Sequence, residues 1–219
     1  MSAEAPVAVK APIDPEKPSI VNQGVIAIIL RPSETQAGAY EYYLLDHNHY
    51  SQNEDGTPKT VHAGIGLLSE TMQSGEVHGD YLSIMARGYV EEIMGITLSK
   101  RPSNDELARF ASYVQLARKG MEENLREIGN FNHDFNYHNR DVYLSEPNTR
   151  GHIHVFVDDN RIMDVGEINK EEVEFAGHLG SGDLDHPYIH YRSGYDTKLL
   201  LQSPELEDIL RANDITIGE

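Results

Sequence analysis

Two hydrophobic periods alternate along this chain. The run GVIAIILR, just after Ile20, is β-branched, apolar and of strand length, and YEYYLL at residues 40–45 makes a second strand candidate. The turn-rich PSETQAGA between them predicts a hairpin. Residues 46–64 are polar throughout and predict a loop, and GIGLLSETMQSGEVHGD, punctuated by Gly, predicts another that bends sharply. Over residues 81–94 the period becomes helical. At about 100° per residue, Leu82, Met85, Ala86, Tyr89, Val90, Ile93 and Ile96 share one broad face. Asp80, Ser83, Arg87 and Glu91 fall opposite, and Gly95 suits the stop.

A clearer helix start follows. Ser103-Asn-Asp-Glu106 forms a capping box, and Leu107, Phe110, Val114, Ala117, Met121, Leu125 and Ile128 recur at helical steps up to Gly129. The polar, aromatic NFNHDFNYHNR reads as a loop. Residues 141–145, 152–157, 161–165 and a short 172–176 are strand candidates, and Ser203-Pro204 opens a last helix with Glu205, Glu207 and Asp208 in its first turns. No internal repeat is present. The order predicts an α+β or mixed α/β sandwich, a mixed sheet between helices. Residues 1–19, rich in proline, form a flexible leader, and residues 20–219 a single domain.

Charge narrows the partners. Asp plus Glu number 36 against 18 Lys plus Arg, a formal net charge of −18. Such a surface repels nucleic-acid phosphate and anionic lipid, yet a small phosphorylated ligand remains open to it through a divalent cation. The chain has no cysteine, which removes disulfides, zinc–thiolate sites and thiol catalysis. Its longest apolar run, residues 25–30, is far short of the roughly 20 residues that span a bilayer. No cationic start precedes an apolar core at the N-terminus. The expectation is a soluble, cytoplasmic protein without membrane or nucleic-acid partners.

The helix of residues 81–94 raises the chemical question. Glu91, one turn after Arg87, suits an exposed pair that adds about 0.2–0.5 kcal/mol. Glu92 lies beside Gly88, on the shoulder of the apolar face, where a carboxylate must be paired, hydrated or bound to a cation. Gly88 itself costs about 1 kcal/mol against Ala inside a helix, so something needs the space it leaves.

The stretch GEVHGDYLSIMARGYVEEIMGI, residues 75–96, resembles a degenerate Nudix box. Gly75-Glu76 is similar to the Gly-Glu that precedes the family's helix, and Arg87, Glu91 and Glu92 keep the family's mutual spacing. The surrounding strands follow the same order. Gly88 stands where the family has the first Glu of its helix, one extra residue separates Glu92 from Gly95, and the gap from Glu76 to Arg87 is longer than the family's. The resemblance implies a Nudix-like mixed sheet between helices, with the helix at about 103–129 as an insertion suited to core or homodimer packing. It implies a hydrolase that cleaves a pyrophosphate bond in a nucleoside diphosphate-linked molecule. Glu76, Glu91 and Glu92 would hold Mg²⁺, or Mn²⁺, and Arg87 would organise them. The departures leave a second expectation open: a catalytically impaired Nudix-like module that binds a nucleotide or regulates.

Eleven histidines invite a separate metal reading. His47 and His49, and again His152 and His154, are two apart, so in a strand each pair shares a face. For the second pair, Ile153, Val155 and Val157 would pack the opposite core. His133, Asp134 and His138 form a looser group. A His-site metalloprotein is therefore a third expectation, set against histidines that merely form hydrogen bonds. Under the Nudix-like reading, His152 and His154 face a ligand cleft, and Tyr137 is a candidate for stacking on a base.

Overall fold

The computed structural model describes residues 22–52, 58–73, 76, 78–99, 101–135, 149–163, 173–179 and 192–218. The leader, Gly75, Tyr137, His138 and the strand expected at 141–145 lie outside them. The elements run β1 (Asn22–Pro32), β2 (Tyr40–Gln52), β3 (Pro58–Gly66), β4 (Leu68–Thr71), α1 (Tyr81–Gly88), α2 (Asn104–Asn124), β5 (Arg126–Phe135), β6 (Thr149–Val157), β7 (Val173–Leu179), α3 (Arg192–Leu201) and α4 (Pro204–Ala212).

The fold is α+β, built on one mixed sheet of order β3-β2-β1-β6-β5, with β4 also on β1 and β7 also on β2. β1 is its axis. On one side it pairs in parallel with β6 from Asn22 to Leu30. On the other its first half takes β4 and its second half β2, both antiparallel. The expected hairpin is this β1–β2 pair.

Alternation along β1 feeds two cores. Val25, Ala27 and Ile29 join Phe156 and Leu68 under α1 and α2. Ile28 and Leu30 join Ile153, Val155 and Val157 under α3 and α4. The sheet thus lies between helices, and the face assigned to Ile153, Val155 and Val157 is the one they take. No helix of the described residues is long and apolar enough to cross a membrane.

Four expectations need correction. The polar stretch 46–64 is largely strand, because β2 runs to Gln52 and β3 pairs with it. LSET, expected as loop, is β4. The long helix ends at Asn124, and residues 126–135, expected as helix up to Gly129 and as loop beyond it, form β5, the sheet edge on β6. Residues 161–163 form no strand. Arg161 has a positive φ of 55°, and the Asp158 carboxylate accepts from the backbone N–H groups of Ile162 and Met163, which bends the chain into a turn. The caps agree better: Ser103 accepts from the Glu106 N–H and Ser203 from that of Leu206. The Glu106 side chain, however, reaches Ser99, so half of the capping box is spent upstream.

Gly129 explains why the helical period failed there. A Cβ on it would lie 2.8 Å from Ile209 Cγ1 and 2.9 Å from Cδ1 and Cγ2, so α4 rests on bare backbone. Gly129→Ala should destabilise the protein by about 1–3 kcal/mol through overpacking, lowering Tm by about 2–4 °C for each kcal/mol. Thermal unfolding checks this, and Ile209→Ala in the same chain should return part of the loss.

Candidate functional site

Arg87 was expected on the wet face of its helix. It is instead nearly buried, its side chain 11% exposed, because β4 stands where open solvent was anticipated. Its Nη1 donates to Glu70 Oε2 at 2.5 Å and its Nη2 to the Thr71 carbonyl at 2.9 Å. Nε and Nη2 each reach a Glu76 oxygen at 3.3 Å, and Glu91 Oε2 lies 3.9 Å from Nη1. One guanidinium therefore gathers carboxylates from a strand, a connecting turn and a helical turn.

Each partner is placed by local structure. Glu70 alternates with Leu68 along β4, so both point to the α1 side of the sheet, and Leu68 is in that core. Glu76 is held by a tight turn: its carboxylate accepts from the Gln73 N–H, and its own N–H donates to the Gln73 carbonyl. The long gap before Arg87 is taken up by a short 3₁₀ turn, His78–Asp80, that leads into α1, and Glu76 still reaches its partner. Glu91 and Glu92 sit in a π-helical turn, Tyr89–Ile93. Met94 N–H bonds back to the Tyr89 carbonyl, a wider turn that accommodates one more residue than an α-turn. The extra residue before Gly95 is thereby absorbed. Glu91 and Glu92 are both half-buried.

The space beside Gly88 has an occupant. A Cβ at Gly88 would lie 2.5 Å from Glu70 Cγ and 3.0 Å from Glu70 Oε1. Glu70, absent from the sequence expectation, fills the notch. Its signal was the Leu68-x-Glu70 alternation, masked by reading the segment as loop.

The electrostatics follow. Burial pushes the Glu70 carboxyl up to about 7; the Arg87 charge opposes this, while Glu91 and Glu76 raise it further. Desolvation works against the Arg87 charge, but Glu70, Glu76 and Glu91 more than offset it and raise the guanidinium pKa. Negative charge is in surplus at this point. Carboxylate oxygens are the donors that hard divalent cations take, so the set fits such an ion by donor type and charge. Its oxygens are turned onto Arg87, however, and among the described residues no three His, Asp or Glu side chains stand together as a metal-holding group.

The histidines occupy a neighbouring place on the same face. His152 and His154 are buried, 8% and 4% exposed. The His152 ring nitrogens lie 2.7 Å from Asn132 Oδ1 and 2.9 Å from Gln23 Oε1. His154 Nδ1 lies 2.8 Å from Glu127 Oε1, and Tyr81 stacks on the ring at 3.8 Å while its hydroxyl donates to Glu127 Oε2 at 2.6 Å. Burial pushes Glu127 up, but hydrogen bonds from Tyr81, His154 and Asn130 outweigh it and hold its carboxyl below the usual range. His133 and Asp134 lie on β5, with Asp134 paired to Arg150. The backbones of His47 and His49 are in β2.

No family model and no curated protein matches the chain. Solved structures do. A NUDIX hydrolase from Alicyclobacillus acidocaldarius aligns over 91% of this chain and 98% of its own, at 13% identity and a TM-score of 0.47. A bifunctional NMN adenylyltransferase/ADP ribose pyrophosphatase from Francisella tularensis, complexed with AMP and a Mn ion, aligns over 90% of this chain at 15% identity and a TM-score of 0.46. This chain spans 43% of that one. A C. elegans Ap4A hydrolase aligns over 89% of this chain and 96% of its own, at 14% identity and a TM-score of 0.41.

Two measurements probe the geometry. Arg87→Ala leaves facing carboxylates without their cation and should cost about 3–5 kcal/mol in denaturant unfolding at pH 8. The deficit should shrink at pH 5, where protonation relieves the repulsion. Tyr81→Phe should cost about 1.5–3 kcal/mol, since the lost donor served a charged acceptor. Glu127 has a depressed folded pKa, so its contribution is present above the unfolded carboxylate value and lost as pH falls. The gap between native protein and Tyr81→Phe should therefore close on acidification.

Proposed function

We propose that the protein is a metal-dependent hydrolase acting on the pyrophosphate bond of a nucleoside diphosphate-linked small molecule. The observation that carries this reading is the gathering of Glu70, Glu76 and Glu91 around a single buried guanidinium, with Glu92 on the same turn. The spacing of Arg87, Glu91 and Glu92, which resembles the Nudix box, supports it.

In this reading Glu91 and Glu92, with Glu76, are the residues that would hold Mg²⁺ or Mn²⁺. A bound divalent ion supplies charge neutralisation at the phosphates and a hydroxide at neutral pH. The chain's own part is placement. Arg87 fixes Glu76 and Glu91 through charge-assisted contacts, β4 shields one side of the cluster from water, and the π turn sets the direction of the two glutamates. His152 and His154, on the same sheet face, are proposed to border the ligand, with Tyr137 as a stacking residue. Nucleic acid and membrane are not proposed as partners, and pairing of two copies through α2 is a further proposal on its apolar stripe.

A second reading has a specific observation in its favour. Position 88 lacks an acidic side chain, and Glu70, Glu76 and Glu91 are engaged with Arg87. A module that binds a nucleotide without turning it over would suit that arrangement. It would gain thermal stability from a ligand that it does not consume.

The test is hydrolysis of a panel of nucleotide sugars, dinucleotides and triphosphates with Mg²⁺ or Mn²⁺, read as the nucleotide and the second phosphorylated product formed. Turnover should be metal-dependent and fall by at least about 100-fold in Glu92→Gln, with Tm little changed. Ligand-induced stabilisation without any hydrolysis of the ligand would favour the binding module.

A further inference from the structure

We propose that Glu70 is a positioning residue, which brings to α1 from the neighbouring strand a carboxylate that position 88 of the helix lacks, and that Gly88 is the notch admitting it. This rests on the reading of the Arg87 cluster as the reaction site.

The argument is one of mutual exclusion. A side chain at 88 and the side chain of Glu70 claim the same volume, since an ideal Cβ there lies 2.5 Å from Glu70 Cγ and 3.2 Å from Cδ. The Glu70 carboxylate carbon is thus within the reach of a side chain rooted at 88. The group is also held in place: Oε2 takes the Arg87 Nη1–H, while the carbonyl of the next residue, Thr71, takes Nη2–H. Two consecutive residues of β4 therefore set the guanidinium plane, and through it the directions of Glu76 and Glu91. The side chain is 13% exposed, so it is not a solvated strand residue that happens to lie near a cation. Gly88 completes the match, because a Cβ there would force Glu70 to shift from its place on Arg87.

An exchange of the two residues tests this. Glu70→Gly alone should broaden or remove the protected Arg87 Nε–H signal in a ¹H–¹⁵N spectrum, assigned by its loss in Arg87→Lys, and should cut turnover by at least about tenfold. Gly88→Glu alone should lower Tm by about 5 °C or more through overpacking. The double variant Glu70→Gly, Gly88→Glu should recover both the Arg87 signal and most of the Tm. A gentler pair covers the case in which Gly88→Glu does not fold: Gly88→Ala should lower Tm in the native chain and leave it unchanged or raised in a Glu70→Ala background. The inference is overturned if the double variant is no better than the worse single one, or if Gly88→Ala costs the same in both backgrounds. Both readouts are taken without metal or substrate. An absence of turnover in the native protein would therefore count against the hydrolase reading alone.

Discussion

A buried positive charge must be answered where it lies, and the Arg87 guanidinium imposes that constraint here. Taking it out of water is tolerable only because fixed acceptors surround it, and those acceptors come from β4, the turn at Glu76 and the helical turn of Glu91. Three separate pieces of chain are thereby held to one point. Burial first, and then the surplus of neighbouring carboxylates, keeps Glu70 short of its usual acidity, which gives the place chemical interest. The three pieces of chain and the acidity of Glu70 are coupled there through a single planar group.

The polar groups along β6 form a second, quieter arrangement. His152, His154 and Phe156 share the face under α1, where Phe156 is packed and the two rings bond to Asn132, Gln23 and Glu127. These bonds supply the partners that buried polar groups require at both nitrogens of His152 and at Nδ1 of His154. Tyr81, the first residue of α1, joins it by stacking and by its hydroxyl. The N-terminus of the helix is thus anchored on the sheet edge by polar contacts, while Arg87 anchors its C-terminal end on β4. α1, which leads directly into the turn of Glu91 and Glu92, is tied at both ends.

Much of this was legible in the residues. The β-branched run of β1, the aromatic and leucine run of β2, the apolar face of α1 and the caps at Ser103 and Ser203 each carried a strong local signal, and the structure places an element at each. What was hidden was hidden for physical reasons. DHNHYSQ and PKTVHAG lack an apolar alternation, so their strand state follows from backbone pairing at the sheet edge rather than from a core face. Leu125 and Ile128 continue a helical stripe by accident, while the backbone from Arg126 onward pairs with β6. α3 begins with the polar RSGYDTK and gave no period at all. At the site, the mutual spacing of Arg87, Glu91 and Glu92 could be read directly. The part played by Glu70 could not, because it depends on β4 crossing the helix and on a side chain that position 88 does not have.

The central pairing of β1 with β6 has a consequence for how the molecule assembles. Val25 faces His152 and Leu30 faces Val157, so two adjacent central strands come from distant parts of the chain. The β1–β2 hairpin can zip up early from its own turn, but the parallel ladder must wait for a distant partner. Such long-range closure slows folding more than it weakens the product. During synthesis, β1 leaves the ribosome with one flank unclaimed and keeps it so until most of the chain has followed.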